Sequence, residues 1–121
     1  MFTVIVDGDN VLRALGVNKN AAAEEFLLRL ELCAACRGWE MIVVFDGPER
    51  FLRRDVGPLV VRYAPRGQTA DTVIERLVYE ASDRTWFVVV TRDRAEGDLV
   101  LGLGAQVWTP LRLQEEMAAR E

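Results

Sequence analysis

Apolar residues are grouped along this chain in two alternating patterns. Short runs at Phe2–Val6, Met41–Phe45, Leu59–Tyr63, Trp86–Val90 and Gln106–Trp108 are β-rich, and several are almost continuously hydrophobic. That continuity predicts strands buried on both faces. Between the first two runs, Ala21–Arg37 sets polar Glu24, Glu25 and Arg29 against apolar Phe26, Leu27 and Leu30, a helical spacing. A second helix is predicted over Ala70–Ser82, capped by Thr69 and burying Val73, Ile74, Leu77 and Val78. A third, shorter one is expected from about Ala95 to Leu101. A last helix begins at Thr109-Pro110, a cap followed by proline at the first helical position. Strands alternating with helices predict an α/β fold, a mainly parallel sheet of about five strands covered on both faces.

At 121 residues the chain is read as one domain, 1–121, with no linker or repeat. Gly47–Pro58 stands apart: Gly-Pro pairs bound it, its arginines outnumber its acids, and its length marks either a mobile or a functional segment. Nothing approaches the roughly 18 consecutive apolar residues of a membrane span. Met1-Phe2-Thr3 lacks a positive n-region, so a cytoplasmic address with no membrane partner is expected.

Composition narrows the chemistry by an absence. The chain has no histidine, and Lys19 is its single lysine. Acid–base work must then rest on carboxylates, tyrosines, thiols or a metal-activated water. Cys33 and Cys36 form a C-x-x-C near a predicted helix end. A redox pair favours a helix N-terminus, and a zinc site needs about four ligands. Both cysteines are therefore expected to be small core residues.

Three predicted strands run into an aspartate: VIV before Asp7, IVVF before Asp46, and FVVVTR before Asp93. In an open parallel sheet the carboxyl ends of the strands share one edge, where ligands bind. Asp71 opens the second predicted helix with Glu75 one turn on, and Glu96 and Asp98 follow Asp93. Each acid has an ordinary alternative. Asp46-Gly47-Pro48 is a turn, Asp71 complements a helix dipole, Asp93 is an N-cap, and Asp7-Gly8-Asp9-Asn10 is a polar loop cluster. Together these alternatives weaken, because like charges on one edge repel unless a cation neutralises them. Oxygen donors alone favour Mg²⁺ or Mn²⁺.

The stretches VDGDN, IVVFDGP, GQTADTVIERL and VVVTRDRAEGD occur here in the order and spacing of a YacP-like NYN domain, which the chain resembles from Val4 to about Trp108. This is a bacterial branch of the PIN-like ribonucleases. The resemblance implies a Rossmann-like three-layer α/β/α sandwich and a metal-dependent endoribonuclease acting on single-stranded RNA. It carries Asp7, Asn10, Asp46, Asp71 and Asp93 over as site residues. Asp7, Asp71, Asp93 and Glu96 are then expected around the metal, with Asp46 orienting the set. Asn10, and Thr91 with it, would position a water or a phosphate oxygen. Two positions depart from the family pattern: Arg92 replaces a small serine, and Asp9 adds a carboxylate.

Asp7-Gly8-Asp9-Asn10-Val11 also fits the D-x-D-x-[TV] motif of haloacid-dehalogenase-like phosphatases, with Asp7 as nucleophile. Those enzymes need a late lysine and room for a cap, and this chain has neither. A further alternative is an RNA-binding or regulatory module that keeps the fold without turnover. Arg50, Arg53, Arg54, Arg62 and Arg66, interleaved with Phe51 and Tyr63, suit a single-stranded backbone and its bases; the plain alternative is a solvated loop with the aromatics turned inward. The net charge is −4, and setting aside Asp7, Asp46, Asp71, Asp93 and Glu96 leaves 14 acids against 15 bases. So balanced a body binds RNA weakly. Delivery by a ribosome or another RNA-bearing complex is therefore expected.

Overall fold

A computed structural model of the chain describes residues 2–51 and 57–119. Its sheet has five strands, all parallel: β1 (Thr3–Asp7), β2 (Glu40–Phe45), β3 (Leu59–Tyr63), β4 (Phe87–Val90) and β5 (Gln106–Trp108), in the spatial order β3-β2-β1-β4-β5. The helices are α1 (Gly8–Ala14), α2 (Asn20–Arg37), α3 (Ala70–Glu80), α4 (Arg94–Gly102) and α5 (Pro110–Ala118). The predicted α/β/α architecture is observed.

Strand alternation explains the nearly unbroken apolar runs. Val4 and Val6 of β1, with Val88 and Val90 of β4, face a cluster built with Val11 of α1, Leu30 of α2 and Leu113 of α5. Ile5 and Val89 point the other way, into a cluster with Ile74 and Val78 of α3 and Val100 of α4. Both faces are dry, so a strand residue of either parity must be apolar. Among the described residues no helix is long and apolar enough to cross a membrane.

Three details differ from the sequence-based expectation. The polar stretch after β1 is a helix, α1, rather than a turn. Gly-Asp-Asn has turn character, but Val11 and Leu12 are buried against the sheet and hold the seven residues in helical form. Trp86 belongs to a short 3₁₀ turn (Arg84–Trp86) and is half exposed. Of the two cysteines Cys33 is buried, as expected, whereas Cys36 is exposed.

Close packing where β1 passes into α1 yields a sharp prediction. A Cβ on buried Gly8 would lie 2.5 Å from Phe45 Cε1 and 2.6 Å from Cδ1. The Phe45 ring is fully buried, with the Phe51 centroid 4.9 Å and the Tyr63 centroid 5.8 Å away, so it has little room to yield. Gly8→Ala is expected to cost about 1–3 kcal/mol through overpacking. Urea denaturation would read this as a lower midpoint, and an unchanged midpoint would contradict it.

Candidate active site

The chain leaves β1 for β2 on one side and returns to β4 on the other, so the connections diverge between β1 and β4. Crevices at such switch points sit beyond the carboxyl ends of the strands. Asp7 is the last residue of β1 and Thr91 follows the last residue of β4. Both are buried, and among the described residues the third buried polar one is Glu96 of α4, at 3% exposure.

Thr91 is the hub of this cluster. Its Oγ1 lies 2.9 Å from Glu96 Oε2, 3.2 Å from Asp7 Oδ2 and 3.5 Å from Asn10 Oδ1. It also accepts a hydrogen bond from Asp93 N at 3.1 Å. A hydroxyl has one proton to donate, and the short distance assigns it to Glu96. Asn10 Oδ1 accepts from Arg92 N at 2.7 Å, which ties α1 to the β4–α4 loop and leaves the Asn10 amide hydrogens to donate elsewhere.

Burial is the main cause that pushes the Asp7 carboxyl above its usual range, and the charges of Asp71 and Asp46 add to it. Hydrogen bonds with Glu96 and Thr91 act in the opposite sense. Glu96 is pushed up to about 9, first by burial, then by its hydrogen bond with Asp7 and by the Asp7 charge. Two adjacent buried carboxyls cannot both ionise at low cost. Near neutral pH Asp7 and Glu96 therefore share one proton, and the pair titrates as a unit.

The other acids of the edge have different tasks. Asp93 is exposed, and its Oδ1 accepts from Glu96 N at 3.1 Å. It is the N-cap of α4, the ordinary alternative for that position. Asp46 Oδ1 accepts from Ala70 N at 2.9 Å and so covers the start of α3, where Thr69 makes no side-chain cap. Asp71 is partly buried in the first turn of α3 and reaches the pair through its charge. Glu75 is partly buried one turn further on, and Asp98 is exposed. Asp9 does not join the cluster: it accepts from Asp46 N at 2.9 Å and pairs with Arg50 at 2.6 Å. The structure thus brings Asp7, Asn10, Thr91 and Glu96 into direct contact, and it places Asp46, Asp71 and Asp93 around them.

Sequence reading ranked Glu96 below Asp93. A signal for Glu96 was present: in Asp93-Arg94-Ala95-Glu96 the acid stands at the third helical position after a cap, where a glutamate ordinarily folds back to the cap amide. Here that amide donates to Thr91 instead, so Glu96 is free to turn inward.

The arginines divide. Arg50 is held by Asp9, with its guanidinium 5.2 Å from the Phe45 centroid and 5.1 Å from the Phe51 centroid. Phe51 is buried, and the Tyr63 hydroxyl accepts from Phe51 N at 3.1 Å. These aromatics therefore pack against the core, the inward-turned alternative of the two, with Phe51 buried and Tyr63 partly buried. Arg62 and Arg66 are exposed, and Arg66 lines a cavity of about 670 Å³ together with Asp46, Gln68 and Thr69. Arg53 and Arg54 lie outside the described residues. Arg92 contributes its backbone amide to Asn10, while its residue lines a separate cavity with Leu15 and Leu111, so the serine-to-arginine departure leaves the acid pair intact.

The model of the YacP-like NYN domain matches residues 4–121. The chain belongs to that family. Among solved structures it is similar to Rae1 (YacP) from Bacillus subtilis, at 22% identity and a TM-score of 0.77 over 98% of this chain and 75% of that one. A tryptophan-to-leucine mutant of the same protein gives 23% identity and a TM-score of 0.82, over 98% of this chain and 76% of that one. These likenesses establish the fold. No curated protein gives a match. YacP-like NYN domains are nuclease-like, and a hydrolase in the general sense follows. The phosphatase motif would need Asp9 as its acid/base, and here Asp9 is instead paired with Arg50 and accepts from Asp46 N.

NYN- and PIN-like nucleases generally use divalent metals. The residues here fit such an ion. The site offers only oxygen donors, and among the described residues no hydrogen-bond donor reaches the buried Glu96 Oε1. That carboxyl must be satisfied by the shared proton or by a cation. Among the described residues, however, no three acidic or thiol groups converge to hold an ion by themselves. Mg²⁺ tolerates this, since it binds through one or two carboxylates and completes its shell with waters and substrate phosphates.

Proposed function

We propose that this chain is a Mg²⁺- or Mn²⁺-dependent endoribonuclease that cleaves single-stranded RNA by attack of water. The buried Asp7–Glu96 pair at the switch point carries this reading. A protein that needed these groups only for stability would gain by making them neutral, because burying carboxylates together is costly.

A divalent ion bound there supplies Lewis-acid stabilisation of the phosphate and lowers the pKa of the attacking water. Asp7 and Glu96 would hold it, giving up their shared proton as it enters. Asp71 and Asp46 deepen the negative potential that attracts the cation. Thr91 fixes the Glu96 carboxyl by hydrogen bonding, the kind of outer contact that orients a ligand. Asn10 directs its amide hydrogens toward a phosphate oxygen. Asp93 acts one step removed, by capping α4 and so setting where Glu96 stands. The near balance of charge away from these acids supports delivery by a larger RNA-bearing assembly such as a ribosome.

The test is cleavage of a labelled single-stranded RNA with Mg²⁺ or Mn²⁺, expected to stop with EDTA. Water as nucleophile leaves the 2′-hydroxyl unused, so the products are expected to carry 5′-phosphate and 3′-hydroxyl ends. Mass spectrometry finding 2′,3′-cyclic phosphate would show internal attack, and cleavage that persists under chelation would remove the metal.

A further inference from the structure

A second surface, joined to the carboxyl edge of the sheet through Asp9, is cationic. The last turn of α1, the α1–α2 connection and the first turn of α2 enclose a groove of about 260 Å³, closed on one side by Arg50 and Phe51. Arg13, Lys19 and Arg50 line it against a single acid, Asp9. Asp9 is already bound to Arg50, at 2.6 Å. Arg13 and Lys19 are exposed, and among the described residues neither makes an ion pair or side-chain hydrogen bond. The one lysine of the chain is thus placed here, and among the described residues Arg13 and Lys19 bring two uncompensated positive charges to one groove.

The backbone adds to this charge. α2 is an 18-residue helix with no side-chain cap and no acid in its first turn. Its leading amides are therefore left for another acceptor. Asn18 and Asn20 on the same wall supply further donors.

We propose that this groove is a phosphate subsite that holds the backbone of the substrate strand beside the cleavage centre. The assignment rests on the reading of the protein as a ribonuclease. Position favours a strand over an isolated anion. Asp9 lines the groove and accepts from Asp46 N at the carboxyl edge of the sheet, the same edge that carries Asp7, so the groove adjoins the edge where the strand would be cut. This also gives the additional carboxylate Asp9 a task. It fixes Arg50 against Phe45 and Phe51 and so keeps the groove wall formed before RNA arrives.

The experiment is fluorescence anisotropy of a labelled 12-nucleotide single-stranded RNA with the full chain, in EDTA, over a series of salt concentrations. Arg13→Ala with Lys19→Ala is expected to flatten the log–log salt slope by up to about 1.4, at roughly 0.7 per lost phosphate contact. Arg13→Lys with Lys19→Arg, which keeps both charges, is expected to retain the wild-type slope. Both positions are exposed, and circular dichroism checks that each variant is folded. A wild-type chain that binds and cuts RNA, beside an alanine double variant of unchanged slope, would overturn the subsite alone. A wild-type chain with neither affinity for RNA nor metal-dependent cleavage of it would overturn the ribonuclease reading and the subsite together. An unchanged RNA slope, with inorganic phosphate binding by calorimetry lost in the alanine double variant, would assign the groove to a free anion and likewise overturn the strand path.

Discussion

Asp7→Asn is expected to abolish most RNA cleavage while raising the melting temperature of the metal-free protein. The two effects share one cause. Asp7 ends β1 at 6% exposure, and its ionised form is disfavoured by burial and by the charges of Asp71 and Asp46. An amide of the same shape removes that repulsion and can donate a hydrogen bond to Glu96. The direction of that effect predicts a gain in stability, and each 1 kcal/mol gained corresponds to roughly 2–8 °C in Tm. The same change removes a carboxylate from the candidate metal shell. Loss of an outer partner alone typically costs about 10–100-fold, so loss of a direct ligand is expected to exceed that. Single-turnover cleavage and thermal melting in EDTA test both halves. Retained cleavage would move the reaction away from Asp7, and a lower melting temperature would give Asp7 a structural role.

The second large effect is a pH dependence opposite to ordinary acid denaturation. In the fold Glu96 is raised from 4.5 to about 9. A carboxyl raised on folding contributes stability that is fully present below its unfolded pKa and is lost as pH climbs through the folded one. Between these values the folded chain holds a proton that the unfolded chain has released. The metal-free protein is therefore expected to lose stability from about pH 5 to pH 9, by on the order of 2 kcal/mol or more. Glu96→Gln cannot titrate and should flatten this part of the profile while leaving the acid limb below pH 5 in place. Added Mg²⁺ should act in the same direction on the wild type, because a bound cation takes the place of the proton. The measurement is Tm against pH in EDTA for both proteins, and parallel curves would sink the shared-proton pair.

Much of this architecture was legible in the residues. Apolar runs of three to five positions, most of them followed by a helical spacing, were enough to predict a parallel sheet covered on both faces. The order of the four acidic motifs was enough to predict the family. Pattern reading succeeds there because burial on both faces of a strand, or on one stripe of a helix, imposes a period that every residue must obey. The cap at Thr109-Pro110 was visible for the same reason, since it is set by its own neighbours. Thr109 does accept from Arg112 N.

Tertiary structure decided what no local pattern records: which acid is buried and which is exposed. Asp93 and Glu96 are three residues apart, yet one caps α4 in solvent and the other turns inward to meet Asp7 from 89 positions earlier in the chain. Thr91 became the hub because β4 lies beside β1, and strand order is fixed by packing between distant segments. Asp46 replaced Thr69 as the group that covers the start of α3 by the same route, across 24 positions. For Phe51 and Tyr63 the sequence left open an RNA-facing and an inward orientation, and packing around Phe45 decided it: Phe51 is buried and Tyr63 is partly buried against it. Sequence determines what a segment prefers alone. The pKa of a carboxyl, the choice of cap and the direction of an aromatic ring depend on solvent exclusion and on partners that folding brings together.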